Sequence, residues 1–192
     1  MQKFVMIAAA AGVLLATGAQ AQETKTKRWQ IQLGIGSPTQ QAGKTFLSSS
    51  PSASMLSYTL GGLKQGTWGV FAQGLMKNRS YGNSDGDDVT SSETAMGIGL
   101  QYQLRSTSNP ALYYGAGIGS FSLNTALSMR NGKVTTTTTT ESSDVLGGRL
   151  FVGQDFGKRY FGELSYTSMG NAKLGNSSIN ASHASLGVGV RF

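Results

Sequence analysis

The sequence contains no cysteine, three prolines and a single histidine in 192 residues. Disulfide frameworks and thiolate ligands are therefore excluded, and one histidine without cysteine leaves no zinc ligand set at usable spacing. Acidic residues number 9 against 16 lysines and arginines, a formal charge of +7. The cations are scattered and no aromatic stacking platform interleaves them. That argues against a nucleic-acid interface and points to anionic lipid head groups as the electrostatic partner. The Gly-x-Gly pairs fall inside alternating segments rather than between a strand and a helix, so none reads as a phosphate cradle. After Ala16 no apolar run is long enough to form a transmembrane helix, which leaves strands as the only way of crossing a bilayer. What is abundant is glycine, 27 residues of it, with many Ser, Thr, Asn and Gln. Strong helix formers are few, a composition that suits many strands joined by polar turns. Apolar alternation recurs along nearly the whole chain, so low-complexity disorder does not apply.

The N-terminus reads as an export signal. Lys3 precedes an apolar run from Phe4 to Ala16, followed by Thr17-Gly18-Ala19-Gln20-Ala21. A charged n-region, an apolar stretch shorter than the roughly 20 residues of a membrane span, and an A-x-A site define a cleaved signal peptide over residues 1–21. About 170 residues remain, one domain's worth. Residues 22–28 are expected to be a short periplasmic segment and 29–192 the folded domain.

Eight alternating segments can be read, because a strand has period two. The last is the most informative. Counting back from Phe192 gives Val190, Val188, Leu186 and Ala184 on one face, and Arg191, Gly189, Gly187, Ser185 and His183 on the other. The first, Trp29 to Gly36, sets Trp29, Ile31, Leu33 and Ile35 against Gln30, Gln32, Gly34 and Gly36. The second, about 53–63, opposes Leu56, Tyr58 and Leu60 to Ser57, Thr59 and Gly61. In the third, about 67–76, Trp68, Val70 and Ala72 alternate with Phe71, Gln73 and Leu75; the parity is mixed and a bulge is expected there. The fourth, 93–104, is the clearest, with Met96, Ile98, Leu100, Tyr102 and Leu104 against Ala95, Gly97, Gly99, Gln101 and Gln103. The fifth, 111–123, opposes Leu112, Tyr114, Ala116 and Ile118 to Tyr113, Gly115, Gly117 and Gly119. The sixth ends with Leu146, Leu150, Val152 and Phe156 opposite Gly147, Arg149, Gly153 and Asp155. In the seventh, Tyr160, Leu164 and Tyr166 oppose Phe161, Glu163, Ser165 and Thr167. The eighth runs from about 179 to the end.

Connections alternate in length: long at about 37–52, 77–92, 124–143 and 169–178, short at 64–66, 106–110 and 157–159. Outer-membrane barrels have long external loops, short periplasmic turns and an even strand count. The apolar face then touches lipid. On that topology Trp29, Trp68, Tyr114 and Tyr160 begin upward strands while Tyr102, Phe156 and Phe192 close downward ones. Seven outward aromatics therefore fall near one height, as an interfacial girdle requires. A soluble eight-stranded barrel such as a lipocalin would turn the apolar face inward, but Gly, Ser and Gln make a poor solubilising exterior.

Three stretches carry a family likeness: the signal with Ala19-Gln20-Ala21, the strand Met96-Gly97-Ile98-Gly99-Leu100, and the terminal Gly187-Val188-Gly189-Val190-Arg191-Phe192. They resemble the small eight-stranded outer-membrane barrels typified by OmpX and the OmpA transmembrane domain. The resemblance implies residence in a Gram-negative-type outer membrane beside lipopolysaccharide. It also implies recognition of Phe192 by the barrel-assembly machinery. Relatives of the OmpA type continue into a peptidoglycan-binding domain, whereas this sequence stops at the eighth strand, so no cell-wall tether is expected.

Inward parity places Gln30, Gln32, Gln101, Gln103, Arg149, Asp155, Glu163 and Arg191 in a narrow lumen, where buried charges have to pair. A turn centred near residue 158 sets Arg149 opposite about 167, Asp155 opposite Phe161 and Glu163 opposite about Gly153. Direct Arg149–Glu163 contact then needs strand stagger and a long arginine reach. Such a network is either structural or a charge gate for small ions. His183-x-Ser185 resembles the pair used by outer-membrane lipid A deacylases, but its face is lumenal and no acid follows. Asp85, Asp87 and Asp88 superficially suit a calcium loop, yet position twelve is Met96 rather than glutamate. The Thr135–Thr140 run extends the fifth and sixth strands as a ribbon or forms a surface loop; as a ribbon, its edge offers strand addition. Lys77, Arg79, Arg130, Lys133 and Lys173 fall near outer strand ends, positioned for lipid phosphates or simple solubilising charge.

The reading is an all-β, monomeric, eight-stranded antiparallel up-and-down barrel with a packed polar lumen. It has no catalytic constellation, cofactor or metal. The expected role is envelope integrity or surface contact through the loops. The alternatives are a narrow channel for ions or small solutes and a lipid A-modifying enzyme.

Overall fold

The computed structural model describes residues 29–63, 66–82, 88–131 and 134–192. The expected signal peptide and the 22–28 segment lie outside the described residues, as do Asp85, Asp87 and Lys133. The elements in chain order are β1 (Trp29–Pro38), α1 (Gln41–Leu47), β2 (Ser52–Leu63), β3 (Gly66–Gly82), β4 (Asp88–Arg105), β5 (Leu112–Asn131), β6 (Val134–Phe156), β7 (Tyr160–Met169), β8 (Ala172–Leu174), β9 (Ser177–Ile179) and β10 (His183–Arg191). Eight of the strands pair antiparallel in the closed order β1-β10-β7-β6-β5-β4-β3-β2. Closure leaves no unpaired edge around the wall, the condition for strands in lipid. The two ends meet, with Trp29 and Phe192 exchanging backbone hydrogen bonds of 3.0 Å each.

Side-chain parity follows from the pleat. Ile118, Leu146 and Val188 are 72, 78 and 69% exposed, and Leu33 and Ile35 on β1 are similarly bare. An apolar belt this continuous is unsuited to water and suited to hydrocarbon. The opposite parity points inward, where Gln30, Gln32, Gln101 and Gln103 are buried.

Four features depart from the expectations above. First, the bulge is in β2 rather than in the third strand. The β2–β3 register slips between Thr59 and Gly61, leaving Leu60 as the extra residue. Parity in β3 is regular; it reads as mixed because Phe71 and Leu75 are apolar and buried in the lumen. Second, the last barrel strand begins at His183. Residues 177–179 belong instead to a β8–β9 hairpin, whose turn places Gly175 at a φ of 55° as tight primed turns require. Third, the 37–52 connection contains α1. Gly43 there lies so close to Asn180 O and Pro38 Cβ that any side chain would collide with them. Fourth, the 77–92 and 124–143 connections are largely strand. β3 to β6 run 17, 18, 20 and 23 residues, against 10 in β1 and 9 in β10. They continue past Met76↔Ser52, the last β2–β3 pair on that side, as a four-stranded extension of the barrel wall.

The lumen is also less polar than expected. Beneath α1 and the β8–β9 hairpin lies an apolar plug including Leu47, Phe71, Leu75, Phe121, Leu123 and Met169. Towards the short turns Tyr113, Phe151 and Phe161 form a second cluster. The inward glycines explain how so narrow a barrel holds these rings. A Cβ on Gly97 or Gly147 would collide with Phe121, on Gly153 with Tyr113, on Gly115 with Phe151, and on Gly189 with Phe161. Each aromatic therefore occupies the space that a side chain on the neighbouring strand's glycine would fill.

Candidate functional site

A single polar network runs through the lumen across five strands. Arg149 on β6 donates from Nη1 to Gln101 Oε1 on β4 at 2.9 Å and ion-pairs through Nη2 with Glu163 Oε1 on β7. Register sets Arg149 opposite Thr167, four residues above Glu163, so the contact uses the full arginine length directed towards the short turns. Tyr113 OH donates to the other Glu163 oxygen at 3.2 Å. Below it, Asp155 bridges two cations. Its Oδ2 accepts from Arg105 Nη1 at 2.8 Å, and its Oδ1 ion-pairs with Arg191 Nη1 without the alignment of a hydrogen bond. Arg191 is held between the rings of Phe161 and Tyr113, 4.5 and 4.6 Å from their centroids. Arg149 lies 4.6 Å from that of Phe151. Ring faces carry negative charge, so they stabilise guanidinium groups whose remaining N–H groups lack partners: Arg149 Nε, Arg191 Nε and Arg191 Nη2.

Two members of the network, Arg105 and Tyr113, are not among the residues singled out above. Arg105 is one inward step beyond Gln103, so continued parity finds it. Tyr113 is legible as inward-facing, but nothing local marks a phenol as a partner for a charge 50 positions away. Of the neutral members, Gln30 stands opposite Arg191 in register, and Gln32 lies against Gly187 where a Cβ would meet its amide.

On the outer surface near the short turns, Trp29, Trp68, Tyr114, Phe156, Tyr160 and Phe192 are exposed and Tyr102 is half-buried. Register sets Trp68 beside Tyr102 and Phe156 beside Tyr160. Trp68 and Tyr102 pack with centroids 4.8 Å apart, and Trp29 packs on Tyr58 at 4.7 Å.

At the far end, the threonine run is strand, with Thr140 as a bulge between Thr125↔Glu141 and Ala126↔Thr139. Pairing of β6 with β7 starts only at Gly147↔Met169. Among the described residues, β6 between 134 and 142 has a neighbouring strand on one side alone. The four outer cations among the described residues take different places. Arg79 pins α1 to the extension, donating from Nη2 to the Thr45 and Phe46 carbonyls at 2.6 and 3.2 Å, with Glu93 at 3.9 Å from its Nε. Lys77 and Lys44 join it around an open depression of about 480 Å³ also lined by Thr45, Ser48 and Ser49. Lys173 is the exposed centre of β8, its backbone N–H donating to Ser143 Oγ at 3.2 Å. Arg130 pairs in register with Asp88 and Thr135.

His183 and Ser185 face the lumen and are engaged separately. His183 Nδ1 lies 3.0 Å from Ala181 O, while the Ser185 and Ser165 hydroxyls are 2.8 Å apart. Among the described residues no cluster of three His, Asp or Glu suits a metal ion.

Comparison with known proteins agrees with this architecture. A family model for the outer membrane protein beta-barrel domain matches residues 7–192. No curated protein matches the sequence. Among solved structures, Ail of Yersinia pestis in complex with the heparin analogue sucrose octasulfate is similar at 14% identity and a TM-score of 0.52, covering 87% of this chain and 100% of its own. A second structure of Ail gives 16% identity and 0.50 over the same shares. The N-terminal barrel of Pseudomonas aeruginosa OprF gives 13% identity and 0.44, over 87% of this chain and 98% of that one. At such identities the likeness to Ail is one of fold alone. With a closed eight-stranded wall, an apolar exterior and a family model spanning nearly its whole length, the chain belongs to the outer membrane protein beta-barrel domain family.

Proposed function

We propose that this outer-membrane barrel is a non-conducting, monomeric anchor that presents its β3–β6 extension at the cell surface as a contact surface. The observation that carries the reading is the extension itself. Strands β3 to β6 continue well past the wall formed by β1, β2, β7 and β10, and β6 ends there with one side unpaired among the described residues. A strand edge of this kind adds a partner's extended segment through backbone hydrogen bonds. The long connections then face outward, the short turns and girdle face the periplasm, and Phe192 serves recognition by the assembly machinery. Lumen filling supports the non-conducting part. The apolar plug and the Arg149–Glu163 layer lie in series across the bore, and a constriction lined by Leu75, Phe121 and Leu123 disfavours water and ions.

Two measurements test this. Purified protein in a planar bilayer is expected to stay silent from low to high salt; steady single-channel steps would restore the channel reading. Replacing residues 127–138 by an Asn-Gly turn, which joins the directly paired Ala126 and Thr139, is expected to leave a barrel that folds with heat-dependent gel mobility. Cells carrying that trimmed barrel should keep the detergent resistance of the parent. Loss of resistance on trimming would favour an envelope-integrity role instead.

A second reading rests on the depression bounded by Lys44, Lys77 and Arg79. Three cations beside three hydroxyls suit an anionic surface group, whether a lipopolysaccharide phosphate or a sulfated sugar of the kind present in the Ail complex.

A further inference from the structure

The end of the barrel bearing the short turns holds a second, chemically different recess. It is a cavity of about 510 Å³ whose floor and rim come from seven strands and the β6–β7 turn. Neutral donors line one side: the Gln30 and Gln103 amides and the Thr59 and Thr67 hydroxyls. The charged lining is lopsided. Arg105, Lys158, Arg159 and Arg191 contribute four cations and Asp155 the only carboxylate. Both oxygens of that carboxylate are already engaged, one by Arg105 and one by Arg191. Arg191, whose side chain is 8% exposed, has no hydrogen-bond partner for Nε or Nη2 and draws its remaining stabilisation from the Tyr113 and Phe161 rings. The recess therefore carries more cations than its single carboxylate balances, and its floor keeps guanidinium N–H groups without hydrogen-bond partners. Arg105, by contrast, is 44% exposed and reaches the recess from the opposite wall, while Lys158 and Arg159 stand exposed on the rim.

We propose that this vestibule is an oxyanion site that takes a phosphate group between Arg105 and the Lys158–Arg159 turn, over the buried Arg191. Guanidinium forks match the spacing of phosphate oxygens and bind them in pairs, which a spherical ion such as chloride does not reproduce. The recess is wide enough for more than an isolated halide, and neutral amides and hydroxyls opposite the cations accept or donate to the remainder of the ligand. The source is either a soluble phosphate ester or the headgroup of an anionic phospholipid folded in over the rim. That the vestibule opens to the periplasm rests on the sidedness proposed above. Binding is read in micelles, where sidedness plays no part, so failure of one is distinguishable from failure of the other.

The full-length barrel in uncharged maltoside micelles is titrated with inorganic pyrophosphate at constant ionic strength, chloride replacing it in the control. Amide shifts of Gly157, Lys158 and Arg159 are expected to saturate with pyrophosphate and to move little with chloride. Lys158→Gln with Arg159→Gln, both exposed and in a turn, should fold normally and weaken apparent affinity by about tenfold or more, the scale of losing two charge-assisted contacts. Arg105→Gln is the second variant, with a comparable loss expected. In phosphatidylcholine nanodiscs, adding phosphatidylglycerol distinguishes the sources. If the lipid moves the same amides and blunts the pyrophosphate titration, the headgroup is the ligand; if only pyrophosphate moves them, the ligand is soluble. The proposal is overturned if neither moves them, if chloride acts equally, or if the turn variant binds as the parent does.

Discussion

Arg149→Met is expected to lower unfolding stability by about 3–5 kcal/mol, the usual cost of removing one member of a buried ion pair. Arg149 and Glu163 side chains are 1 and 2% exposed, and the guanidinium is also the donor to Gln101. Without it, the Glu163 carboxylate keeps only the Tyr113 hydroxyl as a partner inside a lumen it cannot leave. Unfolding in urea, followed in micelles by the cold-gel mobility of the folded band, reads the loss. The companion Arg149→Met/Glu163→Leu should recover most of it, because an apolar pair of similar volume carries no desolvation penalty. A single variant within about 1 kcal/mol of the parent would mean that the pair is hydrated rather than sealed. It would also reopen the view of this layer as an ion gate.

Phe121→Ala is expected to cost about 3–5 kcal/mol, as emptying a large aromatic from a closed core does. Phe121 is 1% exposed, packs 6.5 Å from Phe71 between ring centroids, and covers the backbone of Gly97 and Gly147. The glycine side of that contact gives the sharper result. Gly97→Val places a side chain where the ring lies and should cost about 1–3 kcal/mol by overpacking. Combined with Phe121→Ala, the valine fills the space the ring vacates, so the double variant should be more stable than Phe121→Ala alone. Independent, additive penalties in the double-mutant cycle would show that ring and glycine do not share one volume.

Strand parity is written in the sequence because it is local. Met96, Ile98 and Leu100 alternate with Gly97, Gly99 and Gln101 whatever the neighbouring strands do, and the pleat turns that alternation into two faces. The three-residue turn at 157–159 is equally local. It sets Asp155 opposite Phe161 and Glu163 opposite Gly153, both found in the barrel. The features that escape the sequence are those fixed by distant partners. Helix α1 lies in a stretch with no acidic first turn and no side-chain cap, and it is held by Arg79 from β3 and by the backbone at 180–181. The β8–β9 hairpin is continuous in alternation with the last strand until the barrel's closure ends that strand at His183. Lengthening of β3 to β6 was hidden because Ser- and Thr-rich segments read equally well as loop.

Polar residues on the inward parity likewise announce a lumen but not its wiring. The local turn leaves Arg149 and Glu163 four register positions apart, and the long arginine spans that gap only because the sheet rolls up into a closed lumen that buries both side chains. The same roll brings Arg105, Asp155 and Arg191 together from positions 50 and 36 residues apart along the chain. Period-two chemistry along each segment thus fixes by itself that the wall of this protein is built of strands, with a lipid-compatible outside and a small-residue inside, since each residue's direction depends only on its immediate neighbours. Closure of the sheet decides the rest: which rings lie over which glycines, which charges pair, and that the bore is filled rather than open. Those outcomes depend on the stagger with which eight separate segments meet across a lumen, and no stretch of sequence contains that geometry.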